Sequence, residues 1–132
     1  MNKSVYNVVD IESLMFDRMI EMGFDGDLIF MSNRPYSVES KMDKFYVIRS
    51  STNIQDLDAI GNGIISIEFY ARDINGFRDS NSLSESFKSI SDSLPFRKDK
   101  YFFSYQNVTP SYSDRVCFHY QIVNIRTLIK DQ

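Results

Sequence analysis

Tryptophan is absent from the 132 residues, and cysteine and histidine occur once each, as Cys117 and His119. One cysteine cannot close an internal disulfide, which excludes a stapled secreted scaffold and fits a reducing compartment. Zinc requires three or four Cys, His or carboxylate ligands in a cluster, so no metal is expected. The five glycines, at 23, 26, 61, 63 and 76, never fall in the G-x-x-x-x-G-K or G-x-G-x-x-G frames that cradle phosphates. Long apolar runs are missing too: Ile64 to Tyr70 is far shorter than the roughly 20 residues that cross a bilayer. The first residues also lack a basic region followed by an apolar run, so neither secretion nor membrane contact is expected. Nor is there a basic excess. Fifteen Lys and Arg against eighteen Asp and Glu give a net charge of -3, which argues against a dedicated nucleic-acid binder.

What is present is enough to build a core. Apolar residues make up 42% and aromatics 14%, far from the composition of disordered chains, and the length suits one domain spanning 1–132. Ile11, Leu14, Met15, Met19 and Met22 form an apolar stripe at helical spacing, predicting a helix from about Ile11 to Met22, with Asp10 as N-cap and Gly23 as its left-handed terminus. Leu83, Phe87, Ile90 and Leu94 repeat the spacing in a serine-rich stretch, where Ser82 and Glu85 have the capping-box pattern and Pro95 ends the helix. Strands are expected where the period is two: Lys44 to Ser51, the run around Ile65, Ile67, Phe69 and Ala71, Tyr101 to Val108, and Arg115 to Arg126. The turn around Pro110, Ser111 and Ser113 joins the last two as a hairpin.

These elements predict an α+β fold, two helices packed on one face of a mostly antiparallel sheet of four strands, or five if Leu28 to Met31 is also a strand. A long loop or arm is left over 24–43, which in a compact domain is uncommon unless it serves a function.

Catalytic chemistry has little to work with. Cys117 and His119 lie two residues apart on one expected strand, so a Cys-His dyad is conceivable, although such a pair is more commonly plain packing. Asp25 with Asp27, Asp56 with Asp58, and Arg72 with Asp73 read better as solvated loop charges than as calcium ligands. Basic and aromatic residues interleave from Arg97 to Tyr105, a stacking pattern for single-stranded RNA, yet the same alternation describes an amphipathic strand. The second sheet face, with Glu68, Tyr70, Arg72, His119 and Gln121, has the tyrosine and arginine of a contact surface.

Several stretches taken together resemble the tail terminator, or tail completion, proteins of tailed bacteriophages, the family that includes the lambda-type minor tail protein U. They are the helix IESLMFDRMI at 11–20, the Lys44 to Arg49 strand, GIISIEFYARD at 63–73, the helix SLSESFKSISDSL at 82–94 and the terminal hairpin. The resemblance implies a virion structural protein without catalytic residues or cofactor. It would form a hexameric ring at the head-proximal end of the tail tube, stop tail polymerisation and join the head. Its partners would be copies of itself, the tail tube protein and a neck or head-completion protein, with genomic DNA passing through the ring without specific binding. It would be assembled in the host cytoplasm and act in the virion. A neck adaptor is the nearest alternative. A ring needs one patch to bind a different patch on the next copy, and Arg34, Tyr36, Tyr70, Arg72, Phe77 and Arg78 are the candidates for it.

Overall fold

Alternation around Ile65, Ile67, Phe69 and Ala71 marks a long central strand, and its pairing with the last strand organises the sheet. The computed structural model describes residues 8–31, 42–50 and 62–129. In chain order these form helix α1 (Val8–Glu21), a 3-10 turn (Gly26–Leu28), β1 (Ile29–Met31), β2 (Lys44–Ser50) and β3 (Asn62–Arg72), then helix α2 (Ser80–Asp92), β4 (Phe96–Lys98), β5 (Tyr101–Val108), β6 (Tyr112–Ser113) and β7 (Phe118–Ile129). The strands lie in the order β1-β2-β3-β7-β5-β4, with β6 beside β7. Among the described residues only the β1–β2 pair is parallel.

This corrects the expected four- or five-stranded sheet with two packed helices: the fold is a seven-stranded mixed sheet curved into a half-barrel. The difference lies in short strands. Leu28 to Met31 does hold a strand, β1, but β4 and β6, with three and two residues, are too short for a period of two to register in sequence. β4 starts directly after Pro95, and β6 falls among turn-forming serines. The 24–43 segment holds the 3-10 turn and β1, while residues 32–41 lie outside the described residues.

One sheet face carries Tyr46, Ile48, Ile65, Ile67, Phe69, Phe103, Val123 and Ile125, which pack with Ile11, Met15 and Met19 of α1 and Leu83 and Ile90 of α2. Buried Glu12 accepts a hydrogen bond from the Ser50 backbone N–H (3.0 Å), tying α1 to the end of β2. Arg18 donates from Nε to the Ser93 carbonyl (3.0 Å) and lies over the Phe96 ring, linking α1 to the end of α2. Helix ends differ from expectation in detail. Helix α1 begins at Val8, so Asp10 lies inside it, whereas Gly23 does take the left-handed conformation (φ 95°). Helix α2 is capped by Asp79, whose carboxylate accepts from the Ser82 N–H (3.1 Å), not by Ser82 itself.

The opposite face has its buried aromatic cluster at one end. Phe45, Tyr70, Tyr120 and Tyr112 occupy one register line across β2, β3, β7 and β6. Phe45 stacks on Tyr70 with centroids 4.3 Å apart, Tyr70 on Tyr120 at 4.8 Å, and Tyr112 tilts against Tyr120 at 5.7 Å. Phe118 and Val47 complete this second cluster. Farther along, the face becomes polar: Ser66 donates to Asn124, which donates to Asn107, and Arg49 pairs with Glu68 (2.8 Å).

Phe45→Ala empties a fully buried site in the aromatic line and should lower unfolding free energy by about 3–5 kcal/mol, read as a lower midpoint with unchanged slope in urea. Asp79→Ala removes only a cap and should cost about 1 kcal/mol by the same measurement.

Candidate functional site

The connection that follows β3 is a tight turn dictated by its two central residues. Asn75 and Gly76 both have positive φ (52° and 82°), the conformation that a two-residue hairpin turn of type I′ requires. Ile74 and Phe77 flank them and exchange two backbone hydrogen bonds of 2.8 and 2.9 Å. Their side chains project into solvent, Ile74 at 57% exposure and Phe77 at 76%.

A second turn lies alongside. The Asp73 N–H donates to the Cys117 carbonyl (2.8 Å), extending the β3–β7 ladder one step beyond Arg72 and Phe118 and bringing Val116 to the level of Ile74. Asp114 holds this turn by accepting from the N–H groups of Val116, Cys117 and Phe118 with one carboxylate oxygen (2.8–3.1 Å). Arg115 takes a positive φ of 65°, and Val116 is left 81% exposed. Tyr112 is half-exposed at the end of the aromatic line, and Arg78 donates to Ser80 at the start of α2 and to Ser111 just before β6. The result is an apolar tip of Ile74, Phe77 and Val116, flanked by the exposed Arg78 and Arg115 at one end of the sheet.

The candidates from sequence divide on this geometry. Phe77 and Arg78 lie on the tip. Tyr70 is only 5% exposed, and its hydroxyl donates to Glu68 (3.0 Å). Arg72 turns back into the fold, donating from Nε and Nη2 to the Met42 carbonyl and from Nη1 to the Cys117 sulfur (3.3 Å) while lying over the Phe118 ring. Both side chains therefore serve the packing beneath the tip. Arg34 and Tyr36 lie outside the described residues, as do Asp56 and Asp58.

The remaining chemistry does not assemble as the spacing suggested. Strand β7 starts at Phe118, so alternation does not extend back to Cys117, which packs against the aromatic cluster, while His119 pairs with Ala71 on the helix-bearing face. His119 donates from Nδ1 to the Asp73 carboxylate (2.7 Å) and Cys117 contacts Arg72, so each is turned to a different partner. Gln121, too, pairs with Phe69 on that face and not with Tyr70. Tyr101 and Phe103 are buried, and Phe96 stacks on Phe103 (4.4 Å), which covers two of the rings in that stretch and leaves Tyr105 half-exposed. Asp25 caps the 3-10 turn through the Asp27 N–H (2.9 Å). Among the described residues no three His, Cys, Asp or Glu side chains are grouped to hold a metal, and no helix is long and apolar enough to cross a membrane.

No protein-family model matches this chain, and no curated protein was found to be similar to it. The site therefore rests on its own geometry.

Ile74, Arg115 and Val116 were not among the residues singled out from sequence. The Asn75-Gly76 pair between two large apolar residues was the available signal for the tip, because such a dipeptide forces a hairpin turn and exposes its flanks.

Asp114→Ala strips three backbone N–H groups of their acceptor and should destabilise the chain by about 2 kcal/mol, with faster amide exchange at residues 116–118 as the local readout.

Proposed function

We propose that this chain is a virion structural protein that works by self-assembly, closing head to tail into a ring as a tail terminator or the neck protein next to it. In this reading it caps the head-proximal end of a phage tail tube, ends tail polymerisation and offers the surface that joins the head. The hexameric state, the tube and neck partners and the passage of genomic DNA through the ring belong to the same proposal.

The observation that supports it is the exposed tip. Three large aliphatic and aromatic side chains, Ile74, Phe77 and Val116, are held in solvent by two tight turns and flanked by arginines. Solitary exposed apolar residues are ordinary, but a cluster fixed on a rigid support is the composition of a contact surface. Phenylalanine and arginine are also enriched where association energy concentrates. A contact of one patch with another on the next copy repeats until rotation closes it, which is how a small domain makes a ring.

Native mass spectrometry over a range of concentrations tests this directly. A discrete six-membered species that dissociates on dilution is expected. A chain that stays monomeric throughout removes self-assembly, and with it this function.

A further inference from the structure

The turn that displays Ile74 and Phe77 is built from a chemically reactive pair. Asparagine is among the thermolabile residues, and a following glycine leaves the next backbone nitrogen unshielded. Asn-Gly occurs twice in the chain, as Asn62-Gly63 at the start of β3 and as Asn75-Gly76 in the turn after it. Their surroundings differ. Gly63 stands opposite Thr127 inside the β3–β7 ladder, so the neighbouring strand holds its backbone extended. At Asn75-Gly76 the two bonds that close the turn belong to Ile74 and Phe77. Among the described residues neither the Asn75 carboxamide nor the Gly76 N–H is hydrogen-bonded. Both residues are exposed, and where a Cβ would stand on Gly76 no atom lies within 4 Å.

We propose that Asn75 is a self-modification site, converting to aspartate and isoaspartate by attack of its own backbone. The Gly76 nitrogen attacks Cγ of Asn75 and gives up its proton. The new N–Cγ bond replaces the Cγ–Nδ2 bond, and the displaced nitrogen leaves with that proton as ammonia. Water then opens the cyclic imide. Addition at Cγ gives aspartate, while addition at the backbone carbonyl carbon gives isoaspartate, whose main chain runs through Cβ and Cγ and is one methylene longer. Water is the only co-reactant.

Isoaspartate does not fit this turn. A two-residue turn of type I′ closes with ordinary backbone length and positive φ at both central residues, so the added methylene parts Ile74 from Phe77. Either product also places a carboxylate where a neutral amide stood, in a tip whose outward charges are Arg78 and Arg115. Ile74 and Phe77 lie outside both apolar clusters, so conversion reshapes the tip and spares the core. The site is independent of the self-assembly reading.

The test is to incubate the full chain at mildly alkaline pH, at a dilution where native mass spectrometry shows the single chain, and to map its peptides by mass. Asn75 should exchange its side-chain nitrogen for oxygen at least about fivefold faster than Asn62, whose reaction must first break ladder pairing. Its rate should rise with pH, because the attacking nitrogen must lose a proton, and unfolding in urea should bring the two sites to similar rates. Asn75→Gly keeps a residue suited to positive φ and removes the carboxamide, so that peptide should stay unchanged. In the converted chain, amide exchange at Ile74 and Phe77 should accelerate while the unfolding midpoint moves little. Equal rates at Asn75 and Asn62 in the folded chain overturn the proposal. So does an Asn75 that persists when folded but converts in urea, since the turn would then protect it.

Discussion

Strand β7 is hydrogen-bonded on both sides along most of its length, and that pairing decides which way every neighbouring side chain points. On one side it meets β3 in unbroken register from Asn62 and Leu128 to Arg72 and Phe118. On the other it meets β5 and then β6, with an irregularity between Tyr105 and Asn107. The register sends Val123, Ile125 and Thr127 to the helix-bearing face and Phe118 and Tyr120 to the aromatic line. A slip of one residue would exchange the two sets, burying Asn124 and Arg126 and exposing two rings. Both apolar clusters oppose that slip, so the register is held from both faces.

The aromatic line adds rigidity where the tip begins. Buried on both faces at this end, the central strands cannot bend independently, and Arg72 fastens the chain at Met42 to β3 directly beneath the exposed turn. The tip is therefore carried on a part of the sheet that is packed on both faces. Rigid presentation matters for association, since side chains already in place lose little freedom when they bind.

Much of the scaffold is legible in sequence. The period of two from Ile65 to Ala71 marks β3, Tyr101–Val108 is β5 as predicted, and Leu83, Phe87 and Ile90 fall on one face of α2. What sequence does not reveal has identifiable causes. The short strands β4 and β6 are created by pairing with longer neighbours, so nothing local announces them, whereas β1 falls where a possible fifth strand was expected. The turn at Asp114 interrupts the alternation before Phe118, which is why Cys117 and His119 part company and why His119 and Gln121 fall on the helix-bearing face. Tyrosine and arginine at 70 and 72 have the composition of a contact surface, but their fate depends on Phe45, Tyr120 and Phe118, which arrive from two distant strands. Phe77 and Arg78, by contrast, are exposed because an Asn-Gly turn leaves them no neighbour strand to bury against.

The Asn75-Gly76 turn keeps its shape through backbone bonds between Ile74 and Phe77, and neither side chain contributes to the core. The turn and the core thus draw on separate residues. Substitutions at 74, 77 and 116 therefore change the surface at this end of the sheet with little effect on stability. Asn75 and Gly76, by contrast, are demanded by the turn geometry, so a β-branched residue at either position would disturb the display itself.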